Sequence, residues 1–317
     1  MKLDIETAVE SRLRKIKNEK LRTKMRKIFR DRAFYMLAAF GLVWYFIFKY
    51  IPIYGIKYAF TNFGRSFVPQ FIGFENFRRF FDTPDFMLAF KNTLAINLLQ
   101  IAFGFPATII VALLLNEIQN SKLKRTFQTV ICLPHFLSWV IVASIWITIL
   151  SPSRGLVNAI IEMFGGEAVF FWIKPEWFKP LMVVTNMWKG LGYGTIIYLA
   201  AMSRAEKELY DAAIVDGANR LEQCWHITIP AILPVIAIMF ILSFDDILDG
   251  FEQIFVFMNG ANRAAAETID TYTYKMGIKN MDVGFATAVG LFKNVVGLVM
   301  VLTTNFVTKK RTNESLI

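Results

Sequence analysis

The sequence predicts an all-α membrane protein that crosses the bilayer six times, and three observations carry that prediction. Of its 317 residues 55% are hydrophobic and mean hydropathy is +0.44, too apolar for an ordinary soluble domain. The excess is gathered into six runs, each long enough to supply the roughly 20 residues that a helix rising 1.5 Å per residue needs to cross hydrocarbon. Lysine and arginine are weighted to one set of alternating segments: 12, 3, 3 and 3 lie in the N-terminal tail, 116–126, 202–229 and 309–317, against 5, 3 and 3 in 57–92, 151–179 and 254–284. That bias predicts both termini in the cytoplasm, as an even number of spans requires.

The spans are expected at Phe34–Ile56, Thr93–Leu115, Phe127–Leu150, Pro180–Met202, Ala231–Gln253 and Phe285–Val307. No apolar core of the signal-peptide kind precedes Phe34, so the first run reads as a retained span. Residues 1–32 form a basic tail with 12 cationic and 5 anionic side chains. Its Ile5, Val9, Leu13 and Ile16, then Leu21, Met25 and Ile28, recur at helical spacing, the pattern of an interfacial helix held by anionic membrane lipid. A span follows directly, so no nucleic-acid partner is expected. Residues 33–310 form the transmembrane domain, and 311–317 a cytoplasmic tail.

Between the fourth and fifth spans lies "DAAIVDGANRLEQCWHITIP", Asp211 to Pro230, polar and small in a chain otherwise close to hydrocarbon. Ala212-Ala213 and Gly217-Ala218 predict two short helices meeting closely. Asp211 and Asp216 are expected in the early turns of the first, Gly217 at the break, and Pro230 at the start of a new helix where its missing N–H costs nothing. A helix-turn-helix reading toward DNA is weak, because Arg220 is the only Lys or Arg of 212–229.

Asp211-Ala212-Ala213, then Gly217, then Ile227-Thr228-Ile229-Pro230 resembles the EAA loop of binding-protein-dependent ABC importer permeases. Where that family has Glu, Asp211 keeps the acid and shortens its reach. "FIGFENFRRFFDTPDFMLAFKNTL", Phe71–Leu94, is similar to the outer segment of carbohydrate-type permeases, and "LPHFLSWVIVASIW", "GFEQIFVFMNG" and "LFKNVVGL" to the branch serving oligosaccharides. The resemblance implies the type I importer fold of six transmembrane helices, with a core over 89–308 and a cytoplasmic coupling loop over 203–229. It implies that Asp211, Ala212, Ala213, Asp216, Gly217, Ala218, Arg220, Ile227 and Pro230 meet an ABC ATPase. A second permease, an extracytoplasmic solute-binding protein, a carbohydrate substrate and a bacterial cell membrane location follow from the same likeness.

The chain contains no G-x-x-x-x-G-K-[ST], so no cofactor is expected on it; ATP and Mg belong to the partner ATPase. Cys132-x-x-His135 and Cys224-x-His226 lie on different elements, which argues against zinc, and no disulfide framework is implied. No nucleophile-and-base constellation stands out, so a transporter subunit is expected rather than an enzyme. A peptide importer and an ATP-independent facilitator or membrane enzyme are the alternatives.

Charged groups inside spans normally face a bundle interior. Lys189, Asp245 and Lys293 are each expected roughly 12–14 Å below the outer surface. Asp245, Asp249 and Glu252 recur at i, i+4 and i+7, a single helical face expected to point inward. Asn97, Gln100, Trp139, Trp188 and Asn294 fall in or near the same outer half, and carboxylates, amides and indoles suit a polyhydroxylated ligand. An ion cluster locking three helices explains the charges equally well.

Overall fold

The computed structural model describes residues 31–66 and 68–312, together with residues 23 and 27. The basic-tail helix expected over 1–32 and the tail beyond 312 lie outside that range. Among the described residues regular structure is helical, and only two isolated β-bridges, Thr61 to Phe71 and Phe63 to Ser66, interrupt it.

The chain divides into two compact units, Met1–Lys57 and Tyr58–Ile317. In the first, helix α1 (Arg32–Tyr45) runs into a π-turn at Phe46–Tyr50 and on into the 3₁₀ segment Ile51–Phe60, whose last three residues belong to the second unit; together they match the first expected span. The second unit begins with α2 (Glu75–Asp82) and α3 (Pro84–Asn116), the latter opened by a proline whose lost donor is an orphan in any first turn. It continues through α4 (Ser121–Cys132), α5 (Trp139–Ile149), α6 (Leu156–Met163) and α7 (Pro175–Met202). Then come α8 (Lys207–Val215), α9 (Arg220–Gln223), α10 (Ile229–Leu242), α11 (Phe251–Phe257), α12 (Arg263–Ala266), α13 (Ile269–Tyr274) and α14 (Val283–Thr312).

Among the described residues four continuous helical segments are long and apolar enough to span: Arg32–Phe60, Pro84–Asn116, Arg220–Leu242 and Val283–Lys310. The expected third span departs from a straight Phe127–Leu150 helix. A 3₁₀ turn at Leu133–Phe136 and an extended Leu137 separate α4 from α5, and the two halves bend by 104°. Pro134 starts the turn and Ser138 caps the new helix by accepting the Ile141 N–H, so each half has its own terminus.

The fifth span also differs from Ala231–Gln253. It starts earlier, because α9, a π-turn at Cys224–Thr228 and α10 form one continuous segment from Arg220. Pro230 falls in the first turn of α10, as expected, although α10 continues the segment from Arg220; the π-turn just upstream accommodates the carbonyl that proline leaves without a donor. The helix ends sooner, at Leu242, and turns replace it over 243–248. Gly250, at φ +151°, starts α11 in a new direction.

Three apolar clusters hold the second unit together. Phe80, Phe86, Ile247, Ile269 and Phe285 join α2, α3, the 243–250 turn, α13 and α14. Ile96, Ala143, Phe178, Met182 and Ile254 join α3, α5, α7 and α11. Ala112, Tyr198 and Ile232 close the opposite end. Within the first cluster, burial lifts the Tyr272 phenol above its usual range and the Asp85 charge adds to the rise, so the ring enters the core neutral.

Candidate functional site

Where α10 stops, the chain leaves a cavity of about 630 Å³ between α3, α5, α7 and the 243–253 segment. From α3 it takes Asn97, Gln100, Gly104 and Thr108, one face of the helix at i, i+3, i+7 and i+11. Asn186 and Gly190 come from α7, Trp139 from the start of α5, and Ser243, Asp246, Asp249, Glu252 and Gln253 from the turn and α11. The wall is held by amides. Asn97 donates from Nδ2 to the Ile247 and Asp249 carbonyls, both at 2.8 Å. Gln100 donates to Gln253 Oε1 at 3.0 Å, and Gln253, 6% exposed, donates to the Met182 carbonyl at 2.7 Å and Thr185 Oγ1 at 2.9 Å.

Of the residues singled out above, Asn97, Gln100, Trp139, Asp249 and Glu252 reach this cavity, whereas Trp188, Lys189, Asp245, Lys293 and Asn294 do not line it. Asp245, Asp249 and Glu252 do not share a helical face, since the helix that would align them ends before Asp245. Nor do Lys189, Asp245 and Lys293 form one cluster. Lys189 donates to the carbonyls of His135 and Leu137, both at 2.7 Å, with its ammonium 5.4 Å from the Trp139 ring centroid. Lys293 pairs with Asp249 and with Asp270 of α13. Asn186, Asp246 and Gln253 were not expected. Asp246 falls off the face a continuous helix would present, while the three- and four-residue spacing of Asn97, Gln100, Gly104 and Thr108 was a readable signal.

The second site is the α8–α9 loop. Gly217, at φ +80°, ends α8: its N–H reaches the Ile214 carbonyl at 3.1 Å and Ala218 N–H the Ala213 carbonyl at 2.9 Å, a Schellman closure. Asn219 and Glu222 form a capping box on α9, and Gln223 returns a bond to the Ala218 carbonyl at 2.9 Å. Tyr210 OH meets Thr228 Oγ1 at 2.9 Å, and Arg220 lies 3.3 Å from Glu117 beyond the end of α3. Asp211 and Asp216 do not occupy the first turn of α8. The helix starts earlier, with Glu206 as N-cap, which leaves Asp211 mid-helix and Asp216 at the C-cap.

Asp211, Ala212, Asp216, Gly217, Arg220 and Pro230 are exposed, and Ala213, Ala218 and Ile227 are half-buried. Around them Ile214, Val215, Leu221 and Trp225 are exposed, Val215 at 88%. The loop is thus internally bonded and presents an apolar tip to its surroundings. Both cysteines are unpaired, and among the described residues no group of three or more metal-ligating side chains assembles.

A polar cavity set among long apolar helices, together with a stiff loop presenting apolar side chains, defines the membrane-embedded subunit of a transporter rather than an enzyme. Residues 104–313 match the family described as "Binding-protein-dependent transport system inner membrane component", and the chain belongs to it. It is 41% identical over 305 residues to the polygalacturonan/rhamnogalacturonan transport system permease protein YteP of Bacillus subtilis (strain 168), covering 95% of each chain. It is also 41% identical over 291 residues to Protein LplB of the same organism, covering 90% of this chain and 92% of that one. A solved bacterial alginate ABC transporter, in complex with an alginate pentasaccharide-bound periplasmic protein, superposes with a TM-score of 0.83 at 37% identity, covering 92% of this chain and 99% of its counterpart.

Proposed function

We propose that this chain is one permease subunit of a bacterial ABC importer and that the cavity is its half of the path for an oligosaccharide. The supporting observation is the lining: three carboxylates, amides and an indole around about 630 Å³ offer acceptors, donors and an aromatic face to a polyhydroxylated chain. Relatives named for polygalacturonan, rhamnogalacturonan and alginate transport point to the same ligand class.

In this reading six helices cross the membrane, the sixth being α7, long enough at 28 residues but interrupted by Asn186 and Lys189. The positive-inside bias places both termini and the α8–α9 loop in the cytoplasm, and the 1–32 tail lies on anionic lipid. There Asp211, Ala212, Ala213, Asp216, Gly217, Ala218, Arg220, Ile227 and Pro230, with the exposed apolar tip, meet an ABC ATPase that holds ATP and Mg. ATP-driven closure pushes on α8 and α9, tilts the continuous Arg220–Leu242 helix and opens the cavity alternately to each side. A second permease supplies the other wall, and a solute-binding protein delivers the glycan.

The test is reconstitution of the complex with its ATPase and binding protein, assayed against polygalacturonan, rhamnogalacturonan, alginate and neutral oligosaccharides. ATP-dependent uptake of one of these classes supports the reading. Uptake of peptides instead, or transport by the isolated chain without an ATPase, overturns it.

A further inference from the structure

The turn that walls the cavity is gripped from two sides. Asn97 of α3 holds its Ile247 and Asp249 carbonyls. From the other side Asp270 of α13 accepts the Gly250 N–H through Oδ2 at 3.0 Å and pairs through Oδ1 with the Lys293 ammonium of α14. That ammonium also pairs with Asp249. Exposure separates the two carboxylates, at 19% for the Asp270 side chain and 54% for Asp249, around a Lys293 side chain only 14% exposed. Asp270 is the enclosed partner and Asp249 the one within reach of the cavity.

Asp270 is itself anchored. The neighbouring Ile269 N–H donates to Thr93 Oγ1 at 2.9 Å, and Asn92 Nδ2 donates to the Ala264 and Glu267 carbonyls at 2.9 and 3.1 Å. Asn92, Thr93 and Asn97 of α3 thus fix the frame in which Asp270 meets the turn. Gly250, at φ +151°, occupies a backbone region with little intrinsic preference to hold it, so its external acceptor matters.

We propose that Asp270 is a positioning residue for the transported ligand: by accepting Gly250 N–H and sharing Lys293, it sets the Asp249 carboxylate at the cavity wall. One ammonium divided between two carboxylates leaves Asp249 with spare acceptor capacity for ligand hydroxyls. Without the Asp270 charge, Lys293 turns wholly to Asp249 and withdraws that capacity. This inference rests on reading the cavity as the ligand's path.

The test uses the reconstituted complex carrying Asp270→Asn, Asp270→Ala or Asp270→Glu. Hydrogen exchange of the peptide covering 243–252 is expected to quicken about tenfold or more in Asp270→Ala, with the 211–218 peptide unchanged. With polygalacturonan oligosaccharides as first probe and neutral oligosaccharides as second, Asp270→Asn is expected to raise KM about tenfold at near-normal kcat, and Asp270→Glu to restore it. A merely structural role predicts less assembled complex with unchanged KM. Unaltered exchange in Asp270→Ala, or unaltered KM in Asp270→Asn, overturns the proposal. Failure of the wild-type complex to take up any glycan overturns the importer reading instead, and the exchange result still decides whether Asp270 holds the turn.

Discussion

Lys189 reaches across the break between α4 and α5 to donate a hydrogen bond to the carbonyl oxygen of His135 at 2.7 Å. Its second bond, to Leu137, occupies another carbonyl that the bend leaves outside a helical ladder. The His135 ring stacks on Tyr193 of α7, with centroids 4.0 Å apart, so one helix fixes the corner from two positions. The ammonium of α7 thus holds a 104° bend. Lys189→Met is expected to lower stability by about 1.5–3 kcal/mol, the worth of bonds from a charged donor, read as a fall in the unfolding midpoint of the purified protein. An unchanged midpoint would mean that the corner does not depend on the ammonium.

Gln253 and Gln100 should separate cleanly. Gln253 is buried and makes three bonds, including one to a main-chain carbonyl, whereas Gln100 contributes one bond at the cavity surface. Gln253→Leu is expected to cost about 2–3 kcal/mol by leaving buried partners unsatisfied, and Gln100→Leu about 1 kcal/mol. Parallel denaturation of the two variants checks the order.

Gly217→Val forces a branched side chain into φ +80°, at a cost of about 1–2 kcal/mol or a changed loop path. Membrane insertion is expected to persist while ATP-driven uptake and co-purification with the ATPase fall together. Normal coupling in that variant would remove the Schellman closure from the mechanism.

Arg220→Ala breaks a pair whose side chains are 62% and 43% exposed, so stability is expected to move by less than about 1 kcal/mol. Tyr210→Phe loses a half-buried bond to Thr228 and is expected to cost about 1 kcal/mol, loosening α8 from the π-turn. Comparing their unfolding midpoints separates the exposed contact from the enclosed one.

The apolar runs located the long helices because hydrocarbon length and helical rise leave little freedom, and Gly217 was legible as a break because few residues take its conformation. The two discontinuities were not legible in hydropathy. Leu137-Ser138 sits in an apolar run, and Ser243, Asp245, Asp246, Asp249 and Gly250 were counted into a span although they are turn formers; what holds the two bends is a set of distant acceptors and donors: Lys189 for the first, Asn97 and Asp270 for the second. The candidate site inherited that error. Treating 231–253 as one helix grouped Asp245 with Asp249 and Glu252, although the turn directs Asp246 into the cavity lining. Lys293 was recognised as a costly charge, but its partner Asp270 lies in a connecting segment where span-centred reasoning does not look.

Because α9, the Cys224–Thr228 π-turn and α10 are continuous, the chain runs from the exposed loop to Leu242 as one helical segment of 23 residues, Arg220–Leu242. Over its length of about 34 Å the places at which it can flex are the π-turn, Pro230 and Pro234. Any lag between displacement at Trp225 and displacement at Leu242 would therefore be set at those three places.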